Sequence, residues 1–165
     1  DYSVLERCAV HLKRARAVNL FGIGASRLVA HDLAQKLMRV DKVCHLYDDW
    51  HDQLLCAKNM HEGDMAIAFS YSGLTREVLD CTVEAQRHNC PVVAVTKVDG
   101  SSKLATMADA VLGVAASEPL VRSGAMASRM AQLMVVDALY AAYVASDYER
   151  AKHVIKQTYT EKQER

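Results

Sequence analysis

Several things are missing from this 165-residue sequence, and each absence removes a class of function. There is no excess of charge of one sign: twenty Lys and Arg balance twenty Asp and Glu. No whole-chain field is available to hold nucleic acid or a membrane surface, so any DNA-reading element of the protein lies outside this chain. The five cysteines, Cys8, Cys44, Cys56, Cys81 and Cys90, include no CxxC pair. Their odd number and apolar surroundings point to buried free thiols in a reducing compartment, the cytoplasm. A signal peptide's basic-then-apolar order is lacking from DYSVLERCAVHLKRARAV, and the most apolar run, Met130 to Ala145, is short and broken by Gln132 and Asp137. Neither reads as a membrane segment. No GxxxxGK(S/T) sequence occurs, which excludes a P-loop nucleotide site.

What is present is one repeated theme from Ala17 onward: a short run rich in Val, Ile or Leu, a turn, then a segment of helical period. Strands are expected at Val18 to Phe21, Lys42 to Leu46, Met65 to Ser70, Val92 to Thr96 and Ala110 to Val114. Their nearly continuous apolar character predicts a parallel sheet covered by helices on both sides. Leu28, Val29, Leu33 and Leu37 mark the buried stripe of one helix, and Val78, Leu79, Thr82 and Val83 that of another. The helix expected over about 125–145 is apolar on most of its circumference, through Met126, Met130, Leu133, Met134, Val136, Leu139, Tyr140 and Tyr143. Such a helix covers the core on one side and meets a second subunit on the other. The remainder is a leading helix over 1–16 and a polar trailing helix or tail over 147–165, making one domain. The abrupt start inside a helical pattern is what a piece of a longer protein would show.

Two strand-to-helix turns carry the chemistry. In Phe21-Gly22-Ile23-Gly24-Ala25-Ser26, two glycines allow close backbone approach and Ser26 faces either a ligand or the helix end. The turn matches half of a dinucleotide fingerprint, with Asp48 near the ribose-binding position, but Arg27 occupies the third glycine position. The second turn, Ser70-Tyr71-Ser72-Gly73-Leu74-Thr75, sets three hydroxyls beside unpaired N–H groups where a helix opens. A phosphate monoester answers both the hydroxyls and the positive end of the helix dipole. Simple helix capping would need only one of the three.

The segments FGIGASRLVAHDLAQKL, SYSGLTRE after GDMAIAF, and EPLVRSGAMASRMAQLMVVDALY resemble SIS (sugar isomerase) domains, over about 17–144. The Ser-x-Ser-Gly-x-Thr turn is shared by SIS domains at large. Asp49-x-His51-x-Gln53, Glu118-x-x-x-Arg122 and Ser128-Arg129 resemble the effector domains of RpiR-family transcription regulators. The resemblance implies a flavodoxin-like three-layer α/β/α sandwich around a five-stranded parallel sheet, a homodimer or homotetramer, and a sugar phosphate at the carboxyl ends of the strands. DNA would be bound only through a helix-turn-helix domain outside this chain. Carried over, the resemblance puts the phosphate on Ser70, Ser72, Gly73 and Thr75, with Gly24 and Ser26 from the first turn. His51, Glu118 and Arg122 would meet the sugar hydroxyls or the far side of the phosphate.

The residues themselves allow plainer readings. His51, with Asp48, Asp49 and Asp52, also fits the charged, capped start of a solvated helix, and Glu118 an exposed loop acid paired with Arg122. A metal centre from this cluster with Cys44 or His45 lacks a ligand pair at helical spacing, and no cofactor is expected. Glu77 complements a helix dipole; His31, Asp32, His61, His88 and His153 read as surface residues. An isomerase would need a base and a ring-opening group, which Glu118 and His51 could supply. However, the His-Pro-x-Gly motif of the arabinose 5-phosphate isomerase branch is missing from GVAASEPLVRSGAM. A purely structural module would leave the hydroxyl-rich turn without purpose.

Overall fold

A computed structural model describes residues 2–118 and 124–160. Five parallel strands form one sheet: β1 (Val18–Gly22), β2 (Cys44–Leu46), β3 (Met65–Phe69), β4 (Val92–Lys97) and β5 (Ala110–Val114). Their order is β2-β1-β3-β4-β5, and β1 runs in register with β3 from Val18 opposite Met65 to Gly22 opposite Phe69. The helices are α1 (Tyr2–Arg14), α2 (Ala25–Met38), α3 (Trp50–Lys58), α4 (Arg76–Arg87), α5 (Lys103–Met107), α6 (Ala127–Ser146) and α7 (Tyr148–Gln157).

The sheet separates two apolar cores, as a sheet flanked by helices on both faces must. On one face Leu12 of α1, Val29, Leu33 and Leu37 of α2, and Val136 and Leu139 of α6 pack against Leu20, Ile67 and Val95. On the other, Ala57 of α3, Val78, Cys81 and Ala85 of α4 and Leu104 of α5 pack against Phe21, Ala68 and Ala94. The predicted three-layer α/β/α sandwich is therefore the fold. Strand order reverses between β1 and β3, so the crevice outside their carboxyl ends is where this architecture receives ligands.

Several expected boundaries and stripes shift. β2 begins at Cys44 instead of Lys42, because Lys42 N bonds back to Leu37 O and closes the α2 terminus. As an edge strand it is only half-buried, unlike the continuous burial of β1 and β3. Leu28 is 51% exposed and Val83 37% exposed; each sits at the rim of its helix's apolar stripe, beyond the reach of the sheet. β3 ends at Phe69, and α6 begins at Ala127. No helix among the described residues is long and apolar enough to cross a membrane.

Candidate functional site

The turns after β1 and β3 lie side by side at the point where strand order reverses, and the start of α6 closes over them. Between them is a pocket of about 200 Å³ lined by Ile23, Ala25 and Ser26, by Tyr71, Ser72 and Thr75, and by Ala125, Ser128 and Gln132. Three helix N-termini thus face one space. None of α2, α4 or α6 is capped by the side chain of its own N-cap residue, Gly24, Thr75 and Met126 respectively. Side-chain capping therefore does not occupy the first-turn N–H groups of α2 and α4, although Arg27 N of α2 bonds to Gly24 O at 3.1 Å. Each helix end carries about half a positive charge, and no Asp, Glu, Lys or Arg is among the described lining residues. An anion placed here would be held by neutral donors and aligned backbone dipoles.

The three hydroxyls of the second turn divide into a back row and a front row. Ser70, 2% exposed, sits behind the pocket: its Oγ accepts from Gly73 N at 3.1 Å and lies 2.9 Å from Thr75 Oγ1. Ser72 and Thr75 line the pocket itself. Ser72 Oγ accepts from Leu74 N at 3.3 Å, a bond that does not use its own hydroxyl hydrogen. Capping is not what Thr75 does, since its side chain makes no bond to the helix it opens.

The turn is braced from outside. Lys97 N and Thr96 Oγ1 both donate to Tyr71 O (3.1 and 3.4 Å), Leu104 N donates to Gly73 O at 3.0 Å, and Tyr71 Oη donates to Ala116 O at 2.7 Å. Gly73 has φ +68°, and a Cβ on it would stand 1.8 Å from Ser102 Oγ and 2.9 Å from Ser102 Cα. Its role is to let α5 approach the turn. Gly24, at φ +58°, is needed for its conformation, and no protein atom beyond its chain neighbours lies within 4 Å of where its Cβ would be.

Ser26 lines the pocket, and its Oγ donates to Gln132 Oε1 at 3.3 Å. Glu118 holds the start of α6: Oε1 accepts from Ser128 N at 2.7 Å and Oε2 from Ser128 Oγ at 2.9 Å. His51 is exposed in the first turn of α3, where its N–H donates to the N-cap Asp49 Oδ1 at 2.7 Å, and it is not among the pocket-lining residues. Arg122 lies outside the described residues. Gln53, from the motif that contains His51, is 1% exposed. It clamps the end of β1, accepting from Gly22 N and donating to Gly22 O, both at 3.0 Å, and to Tyr47 O at 2.9 Å.

A larger cavity, about 510 Å³, lies under the amino ends of the strands between β2 and α3, lined by Arg16, Asn19, His45, Cys56 and Asp64 among others. Its buried carboxylate is held by Arg16: Asp64 Oδ2 accepts from Arg16 Nη2 and from His61 N, each at 3.0 Å, while Oδ1 makes no hydrogen bond among the described residues and lies 2.9 Å from Arg16 Nη2 as an ion pair. Burial pushes the thiols up, Cys44 and Cys81 to about 12 and Cys8 and Cys56 to about 11. None is poised as a nucleophile at neutral pH. Among the described residues no three His, Cys, Asp or Glu side chains gather as metal ligands.

A doubly wound domain with uncapped helix ends and hydroxyls meeting at its strand-order reversal has the geometry to receive a small anionic ligand. The chain belongs to the SIS domain family, whose model it matches over residues 11–142. It is 36% identical over 154 residues to an uncharacterized HTH-type transcriptional regulator, TTE0211, of Caldanaerobacter subterraneus subsp. tengcongensis, covering 93% of this chain and 54% of that protein. To another such regulator, YbbH of Bacillus subtilis, it is 34% identical over 159 residues, 96% of this chain and 56% of that protein. The chain therefore spans about half the length of these relatives. Among solved structures, the Vibrio vulnificus NanR protein complexed with ManNAc-6P superimposes with TM-score 0.89 at 30% identity, over 96% of this chain and 59% of that one.

Proposed function

We propose that this chain is the phosphosugar-sensing effector domain of a bacterial RpiR-family transcription regulator, which couples sugar phosphate binding to self-association and to DNA binding by a helix-turn-helix domain outside it. The observation that carries this reading is the pocket at the β1/β3 reversal, where the N-termini of α2 and α4 stand uncapped beside Ser72 and Thr75. A phosphate monoester is an acceptor of several hydrogen bonds with nearly two negative charges at neutral pH, which is what this donor set lacks. Ser70 Oγ and Thr75 Oγ1 lie 2.9 Å apart and either can donate; with Ser70 as the donor, the Thr75 hydrogen is free for a phosphate oxygen. The regulator relatives and the sugar phosphate in the NanR structure support the same assignment.

Sensing is favoured over isomerisation by what surrounds the pocket. Moving a proton between adjacent carbons requires a base within reach of the sugar. No carboxylate or imidazole is among the described lining residues, and Glu118 spends both oxygens on Ser128. Free thiols, with Cys8, Cys81 and Cys90 buried and Cys44 and Cys56 half-buried, fit a cytoplasmic protein. Met126, Met130 and Met134, spaced along one face of α6 and 59–72% exposed, form the surface that meets a second copy.

Calorimetry with hexosamine, pentose and heptose phosphates tests the assignment. Ser72→Ala should weaken the best-bound sugar phosphate by about 1.5–3 kcal/mol, the range for a hydrogen bond to a charged group. Unchanged affinity in both Ser72→Ala and Thr75→Ala would remove the phosphate from this turn. In deuterated water the bound sugar phosphate should show no exchange at the carbon beside the carbonyl. Exchange that disappears in Glu118→Gln would replace the sensor with an isomerase.

A further inference from the structure

Gln132 and Gln53 are equally buried, each 1% exposed, yet they are used differently. Gln53 employs its carbonyl once and its amide nitrogen twice. Gln132 accepts one bond, from Ser26 Oγ, while its Nε2 is buried without a hydrogen-bond partner. A buried, unpaired amide N–H costs more than one exposed to water, and native interiors leave few of them without a reason. Packing offers none, since Leu or Met would fill the same place on the apolar face of α6 without the penalty.

We propose that Gln132 is the ligand donor contributed by α6, and that Ser26 is its positioning residue. The proposal rests on the phosphosugar reading above and deepens it. Ser26 spends its only hydroxyl hydrogen on Gln132 Oε1, so it has none left for an anionic ligand. That bond fixes the amide with its nitrogen on the side away from Ser26, and both residues line the pocket with Ser72 and Thr75. The donor expected from the first turn is in effect relayed to α6. The partner it fits is an acceptor oxygen of the bound sugar phosphate. A ligand that satisfies it draws α6 toward the turns after β1 and β3, tying occupancy to the position of that helix.

The test uses the full chain with two probes, ManNAc-6P and inorganic phosphate, read by calorimetry and thermal shift. Gln132→Leu removes the unsatisfied donor at similar volume, so the ligand-free melting temperature should hold or rise. Affinity for ManNAc-6P should nevertheless fall on the order of 10- to 100-fold, as for a lost hydrogen bond to a charged group. Gln132→Glu, which sets a carboxylate where the donor stood, should bind at least as poorly. Ser26→Ala should weaken binding in the native background and add nothing in the Gln132→Leu background, a result that a merely structural serine would not give. A loss shared by inorganic phosphate assigns the contact to a phosphate oxygen, and one confined to ManNAc-6P to a sugar oxygen. Native-like affinity in Gln132→Leu or Gln132→Glu overturns the proposal. If Ser72→Ala weakens binding while Gln132→Leu does not, only the Gln132 role falls. If the native protein binds neither probe, the phosphosugar reading and this one fall together.

Discussion

Replacing Gly73 with Ala should be among the most damaging single-methyl additions in the chain, and the structure says by how much. The new Cβ would lie 1.8 Å from Ser102 Oγ, 2.6 Å from Ser102 Cβ and 2.9 Å from Ser102 Cα. The last contact is with backbone, so a rotamer change at Ser102 relieves only part of the overlap. Holding a non-glycine residue at φ +68° adds about 1–2 kcal/mol, and overpacking of this kind about 1–3 kcal/mol. A total of about 3 kcal/mol corresponds to a fall of about 6–12 °C in melting temperature for a domain of this size. Ser102→Gly deletes the two nearest atoms. It costs only a few tenths of a kcal/mol as an N-cap change, together with the 2.9 Å bond to Thr96 Oγ1. The double variant should therefore be more stable than the sum of its parts by about 1–2 kcal/mol, measured as a coupling energy in urea denaturation. A Gly73→Ala protein melting within 2 °C of the native one, or strict additivity in the cycle, would refute the close-approach argument.

Met130→Glu and Met134→Glu, on the outward face of α6, should leave the fold intact and shift sedimentation at micromolar concentration from an oligomer to a monomer. An unchanged oligomer would move the interface elsewhere. The thiols predict an alkaline weakness: with Cys44 and Cys81 pushed up to about 12 by burial, the folded chain keeps protons that the unfolded chain releases above about pH 9. Their contribution is fully present below that pH and is lost as pH rises toward 12. Urea midpoints at pH 8.5, 9.5 and 10.5 should decline, and decline less steeply in Cys81→Ala; equal slopes would discount the thiol.

Much of this was legible in the sequence because it is local. Apolar runs of four to six residues between turns marked all five strands, and a Ser-x-Ser-Gly-x-Thr turn at a helix start marked the candidate anion site without any distant partner. Periodicity identifies the centre of a helix stripe better than its rim, which is why Leu28 and Val83 were expected inside and are exposed. The division of labour among site residues was hidden for a different reason. Ser26 and Gln132 are separated by 106 positions, Gly22 and Gln53 by 31, and only the sheet order brings each pair together. Glu118 and Ser128, ten apart, meet at the start of α6, a pairing that no local pattern announces. A clue was available at Gln132: a long amide on the apolar face of a helix has to be answered by something.

Helix α6 turns Ser128 and Gln132 toward the pocket and Met126, Met130 and Met134 away from it. On the proposed reading, occupancy and assembly are two loads on one beam, and thermodynamic reciprocity would require each to act on the other equally. A protein built this way would have no single affinity for a sugar phosphate. The apparent value would move with how much of the protein is present, so the dose at which a cell responds would depend on the abundance of the sensor as well as on the metabolite.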